Sequence, residues 1–143
     1  MRTLETIEKS IDGLAAAADG RAGARALLAA AEEVLEAWIA ARGAQPTMDE
    51  REGFRLLALH RQGAQDTPSF NACRETCREI AYHYNLLALD AAQTETRRRL
   101  SLMGMLVRHL ALFVGGKMQV EGLGDFCCAS RPLRAESTTI ARE

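Results

Sequence analysis

The side chains best suited to chemistry in this sequence are four cysteines, three histidines and one turn rich in polar-tipped groups, Tyr82-His-Tyr-Asn85. The thiols fall as Cys73-x-x-x-Cys77 and as the adjacent pair Cys127-Cys128. Four thiolates satisfy tetrahedral zinc, and two cysteines four apart on a helix present both sulfurs on one face. Structural zinc sites usually place about two to four residues between paired thiols, so adjacent Cys127 and Cys128 would strain a chelate. A buried seam explains Cys73 and Cys77 equally well, because free cysteine packs as a small apolar residue. Periodicity gives Cys127 and Cys128 no such packing role, which makes them the candidates for exposed thiol redox chemistry.

The histidines are His60, His83 and His109, and the residues three before them are Leu57, Ile80 and Leu106. None therefore makes the Glu-x-x-His pair of a carboxylate-bridged di-iron bundle. His83, Tyr84 and His109 are candidates for lining a pocket between the fourth and fifth helices, facing Cys77. His60-Arg-Gln-Gly63 lacks the lysine that a histidine phosphotransfer site needs. Gly115-Gly116-Lys117 lacks the first glycine and the hydroxyl of a phosphate-binding loop, and it follows a helix instead of opening one. Gly122-Leu-Gly124 has Cys127 where a dinucleotide fingerprint requires glycine. No cofactor loop survives, and zinc on Cys73, Cys77, Cys127 and Cys128 is the one metal the residue types suggest.

Helices must position all of these groups. Leu4, Ile7, Ile11, Leu14 and Ala18 make one stripe, broken at Asp19-Gly20. A second helix spans about 21–42, with Leu27, Leu28, Ala31, Val34, Leu35 and Trp38 inward and Gly43 at its end. Thr47-Met-Asp-Glu50 reads as a capping box opening a third helix that closes at Gly63. Thr67-Pro68 opens a fourth, whose seam is Phe70, Cys73, Cys77, Ile80, Tyr84 and Leu87. Leu100, Met103, Val107, Leu110 and Val114 mark a fifth, widened by Leu102, Leu106 and Phe113 and stopped at Gly115-Gly116. Beyond it the pattern is irregular, with a short extended piece at Met118–Val120 and apolar contacts from Val120, Leu123 and Phe126. The expectation is an all-α fold: an antiparallel four- to five-helix bundle over 1–116, and an irregular C-terminal tail over 117–143.

Composition agrees. With 48% apolar residues and 5% aromatics in 143 residues, the chain can bury one core without covalent help, and it suits close Ala/Leu helix packing more than a sandwich. The net charge of −1 offers no global attraction to nucleic acid or anionic lipid. Residues 1–50 carry nine acidic and five basic side chains, whereas residues 51–100 carry six and eight. Glu5, Glu8, Lys9 and Asp12 interrupt any export signal, so the cytoplasm and reduced thiols are the expectation. Leu100–Gly116 is too short to span a bilayer.

Three functions follow in order. The first is a non-enzymatic bundle acting by protein–protein interaction, as a regulator, adaptor or chaperone-like factor; its stripes on helices one and four would serve a monomer core or a homodimer seam. The second is a metal- or redox-responsive thiol protein. The third is a helix-turn-helix regulator presenting Ser69, Asn71, Arg74 and Arg78 to DNA, disfavoured by Glu75 and Glu79 beside those arginines. An enzyme with a pocket at His83 and Tyr84 is a fourth possibility, with no reaction indicated.

Overall fold

The computed structural model describes residues 2–89 and 94–123. It contains five α-helices: α1 (Leu4–Ala15), α2 (Gly20–Ala41), α3 (Arg55–Gly63), α4 (Arg74–Leu89) and α5 (Thr96–Val120). A 3₁₀ segment, Pro68–Cys73, leads directly into α4. The all-α bundle expected from the periodicity is the fold the chain adopts.

Local chemistry explains most boundaries. Thr3 Oγ1 accepts from the Thr6 amide at 3.1 Å and starts α1. The Asp19 carboxylate accepts from the Arg21 amide at 3.0 Å, so Asp19-Gly20 opens α2. Pro68 sits in the first turn of its 3₁₀ segment, as its missing amide favours. Thr67, however, makes no capping bond, and its buried hydroxyl has no partner among the described residues.

Two expectations fail. Thr47–Glu50 does not open a helix: α3 begins only at Arg55. The backbone there is claimed by side chains instead. Gln62 accepts from the Thr47 amide and donates to the Gln45 carbonyl, both at 2.8 Å, and Arg55 Nε donates to the Thr47 carbonyl at 2.8 Å. Arg51 and Phe54 then exchange two backbone bonds of 2.9 Å around Glu52 and Gly53, whose φ values are 54° and 85°. Positive φ at both central positions is the signature of a tight type I′ turn.

The second failure is at Gly115-Gly116, which does not stop α5; the helix continues through Met118–Val120, where a short extended piece was expected. Stopping at glycine needs a left-handed residue, and that residue is Gly122, at φ 70°. The Leu123 amide reaches back to the Met118 carbonyl at 2.8 Å and the Gly122 amide to Gln119 at 3.1 Å, the Schellman pattern. Leu123 closes it by packing on the core, as expected. Phe126 lies outside the described residues.

One core joins all five helices. Ile7 and Ile11 of α1, Leu27, Ala31, Val34, Leu35 and Trp38 of α2, and Leu56 and Leu59 of α3 are buried in it together with Phe70, Cys73, Cys77, Ile80 and Leu87. Leu100, Met103, Val107, Leu110 and Val114 of α5 fill the centre. α5 packs on α1, α2 and α4 together, and a Cβ built on Gly104 would lie 2.8 Å from that of Ala15. At 1.5 Å per residue α5 is roughly 37 Å long, so by length and composition it could cross a membrane. Here its inner face is the bundle core. The stripes of α1 and α4 likewise pack into this core, apart from exposed Ala18.

Candidate binding cleft

A concavity of about 680 Å³ opens between the Arg51–Phe54 turn, α3 and the start of α4. Its walls carry Arg51, Arg61, Arg74 and Arg78 against a single carboxylate, Glu52, with Gln65 and Asn71 as neutral polar groups. Helix geometry makes the wall: Arg74 and Arg78 are one turn apart on α4, and the type I′ turn swings Arg51 and Glu52 over to face them. Arg78 grips Glu52 with two bonds of 3.1 Å. That fork, and then the charges of Arg51 and Arg74, hold the Glu52 carboxyl below its usual range. Among the described residues the side chains of Arg51, Arg61 and Arg74 have no ion-pair partner, and all three are exposed. The cleft is therefore an electropositive recess with spare guanidinium donors.

His60 lies at its floor, 4% exposed, with Nε2 3.2 Å from the Phe70 carbonyl. The Cys73 thiol donates to the same carbonyl at 3.3 Å. Behind them, Phe70 stacks on Trp38 at 4.8 Å, and Trp38 Nε1 donates to the Gly63 carbonyl at 2.9 Å.

Cys73, the last residue of the 3₁₀ segment, and Cys77 of α4 are free, fully buried thiols on one continuous seam. The neighbouring Cys77 thiol pushes the Cys73 pKa below the ordinary thiol range, with His60 adding to the effect against burial; the Cys77 pKa is pushed up in turn. Two thiols sharing a proton titrate as one unit. Cys127 and Cys128 lie outside the described residues. Among those described, no group of three or more His, Cys, Asp or Glu is arranged to hold a metal.

The structure does not bring His83, Tyr84 and His109 into one pocket. His83 is half-buried, its pKa lowered by burial and then by Arg99 and Arg98 in the first turn of α5. His109 is exposed and lies ten residues beyond Arg99, about 15 Å along the helix. The histidine beside the thiols is His60, from α3. Tyr84 meets Phe54 edge-on at 5.7 Å and lines a separate cleft of about 520 Å³ with Glu32, Glu50 and Asn85. Of the four residues expected to face DNA, Asn71, Arg74 and Arg78 line the arginine cleft; Ser69 instead accepts from Lys117 of α5 at 2.6 Å.

Arg51, Arg61 and His60 were missed as site residues. The excess of arginine over 51–100 was a visible signal, but placing Arg51 opposite α4 depends on a turn hidden by the false capping box. Comparison with models of known families, with curated proteins and with solved structures finds no match.

Proposed function

We propose that this chain is a non-enzymatic binding protein, a regulator or adaptor, that holds an acidic segment of a protein partner in the arginine cleft. The observation that carries this reading is the charge imbalance of the recess: four arginines and one carboxylate line it. Planar guanidinium forks pair bidentately with carboxylates, and Glu52 already does so with Arg78. An incoming Asp or Glu side chain would find the same geometry at Arg51, Arg61 or Arg74.

Shape favours a protein segment over a DNA duplex. A recognition helix must project into the major groove. Here the first turns of α4 form one wall of a recess whose opposite wall is the Arg51–Phe54 turn. A protruding acidic strand or side chain enters such a recess more readily than a helix 20 Å wide would (a duplex is roughly that broad, given grooves about 12 and 6 Å across).

The test is fluorescence anisotropy with a labelled deca-glutamate peptide and, in parallel, a labelled duplex of random sequence. The peptide is expected to bind, to weaken as salt rises, and to lose at least about tenfold in affinity in the R61E/R74E double variant. Both side chains are exposed, so circular dichroism should be unchanged in that variant. Peptide binding that ignores the two substitutions would sink the reading. Tighter binding of the duplex with the same arginine dependence would reassign the cleft to nucleic acid.

A further inference from the structure

Glu52 is an unusual residue for the place it holds. It stands at the first central position of the type I′ turn, at φ 54°, with Gly53 following at 85°. That position favours Asn, Asp or Gly, because a longer side chain in the left-handed region is strained. The turn itself makes no use of the glutamate side chain, since both Arg51–Phe54 bonds run from backbone to backbone. A strained residue with no part in its own turn invites a functional explanation.

The side chain supplies one. Both carboxylate oxygens of Glu52 accept from the Arg78 guanidinium, each at 3.1 Å. Glu52 is also the one acidic side chain lining the arginine cleft, and the charges of Arg51 and Arg74 reach the same carboxyl. The contact is thus a carboxylate bound among arginines, the same chemistry that an acidic segment would bring. It is held lightly. The side chains of Arg78 and Glu52 are 41% and 55% exposed, and ion pairs so open to water contribute little stability. Rotation of Glu52 into solvent uncovers Arg78 while the turn keeps its backbone bonds.

From this arrangement we propose that Glu52 is a built-in competitor, whose carboxylate occupies Arg78 in the free protein and yields that guanidinium to a carboxylate of the partner segment. The inference rests on the reading of the cleft as a site for acidic segments, and adds how that site is regulated. Arg51, Arg61 and Arg74 form the open part of the site, and Arg78 becomes its fourth member only when Glu52 leaves. A single carboxylate arriving from solution meets a tethered rival at high local concentration. A segment already held by the other arginines is tethered too, and so competes with Glu52 on equal terms.

Anisotropy of labelled deca-glutamate at about 50 mM salt, with wild type, E52Q and E75Q, tests this. Glutamine keeps the size of Glu52 and removes its charge. Glu75 is exposed at the start of α4, does not line the cleft, and acts on Arg78 through its charge without an ion pair among the described residues. E75Q therefore measures what loss of one nearby negative charge does by itself. E52Q is expected to bind about two- to fivefold tighter than wild type, the range that release from an exposed ion pair supports, with E75Q within about 1.5-fold of wild type. Both positions are exposed, so circular dichroism should be unchanged in either variant. Unchanged or weaker binding by E52Q, or an equal gain in E75Q, would overturn the competitor while leaving the cleft reading intact, provided that wild-type binding is lost in R61E/R74E. Absence of binding by both wild type and E52Q would overturn the two readings together.

Discussion

Cys73 and Cys77 show how far residue types alone can be read. Their place on the α4 seam was legible from the three-and-four spacing of Phe70, Cys73, Cys77 and Ile80, all of which are buried. Their coupling was not, because the third member, His60, arrives from another helix and meets Cys73 through the Phe70 carbonyl. The largest cause of the lowered Cys73 pKa is the Cys77 thiol, opposed by burial, which disfavours a thiolate, and assisted by His60. Removing Cys77 should therefore raise the Cys73 pKa, although His60 still lowers it. In a C127S/C128S background, thiolate ultraviolet absorbance is expected to appear below the ordinary thiol range. In the further variant C77A it should appear at higher pH than in that background. An unchanged titration would mean that the two thiols are independent and that the seam is packing alone. The same variant should lose on the order of 1 kcal/mol of stability from the small cavity left behind.

At the scale of elements, capping chemistry separated the correct boundaries from the false ones. Asp19-Gly20 was legible as a break between two helices, and the structure makes Asp19 the cap of the second, its side chain having only that helix start to serve. Thr47 was not, because Gln62 and Arg55, distant in sequence, satisfy the backbone around it first. Glycine was misread for a related reason: sequence shows where glycine is, whereas a stop depends on φ. Gly115 and Gly116 remain helical, while Gly122 takes φ 70° and closes the Schellman turn. Opposite substitution effects follow. Gly122→Ala places a Cβ in the left-handed region and is expected to cost about 1 kcal/mol. Gly115→Ala, whose Cβ would meet nothing nearer than Leu4 Cδ1 at 3.9 Å, is expected to gain about 0.4–1 kcal/mol by reducing unfolded-chain freedom. Urea midpoints of the two variants check this. A destabilising Gly115→Ala would show that the helix breaks at Gly115-Gly116 after all.

For the whole molecule, the uneven charge of the chain maps onto its surface: the basic middle third supplies every arginine of the cleft. Composition showed that surplus, and the fold concentrates it. Cooperativity follows from how the core is built. Trp38, the only tryptophan, is fully buried in α2, bonded to Gly63 of α3 and stacked on Phe70 of the 3₁₀ segment. Phe70 touches Phe113 of α5 at 5.8 Å, and α5 in turn packs on α1, α2 and α4. No helix can leave without opening the contacts of the others, and no second core exists among the described residues on which a subset could persist. Trp38 fluorescence and far-ultraviolet circular dichroism should therefore report one urea transition with the same midpoint, and a slope of about 1–3 kcal/mol per molar. If dichroism fell before fluorescence, α1 or the ends of α5 would be melting independently. The continuous core, with α5 at its centre, would then not be the unit that folds.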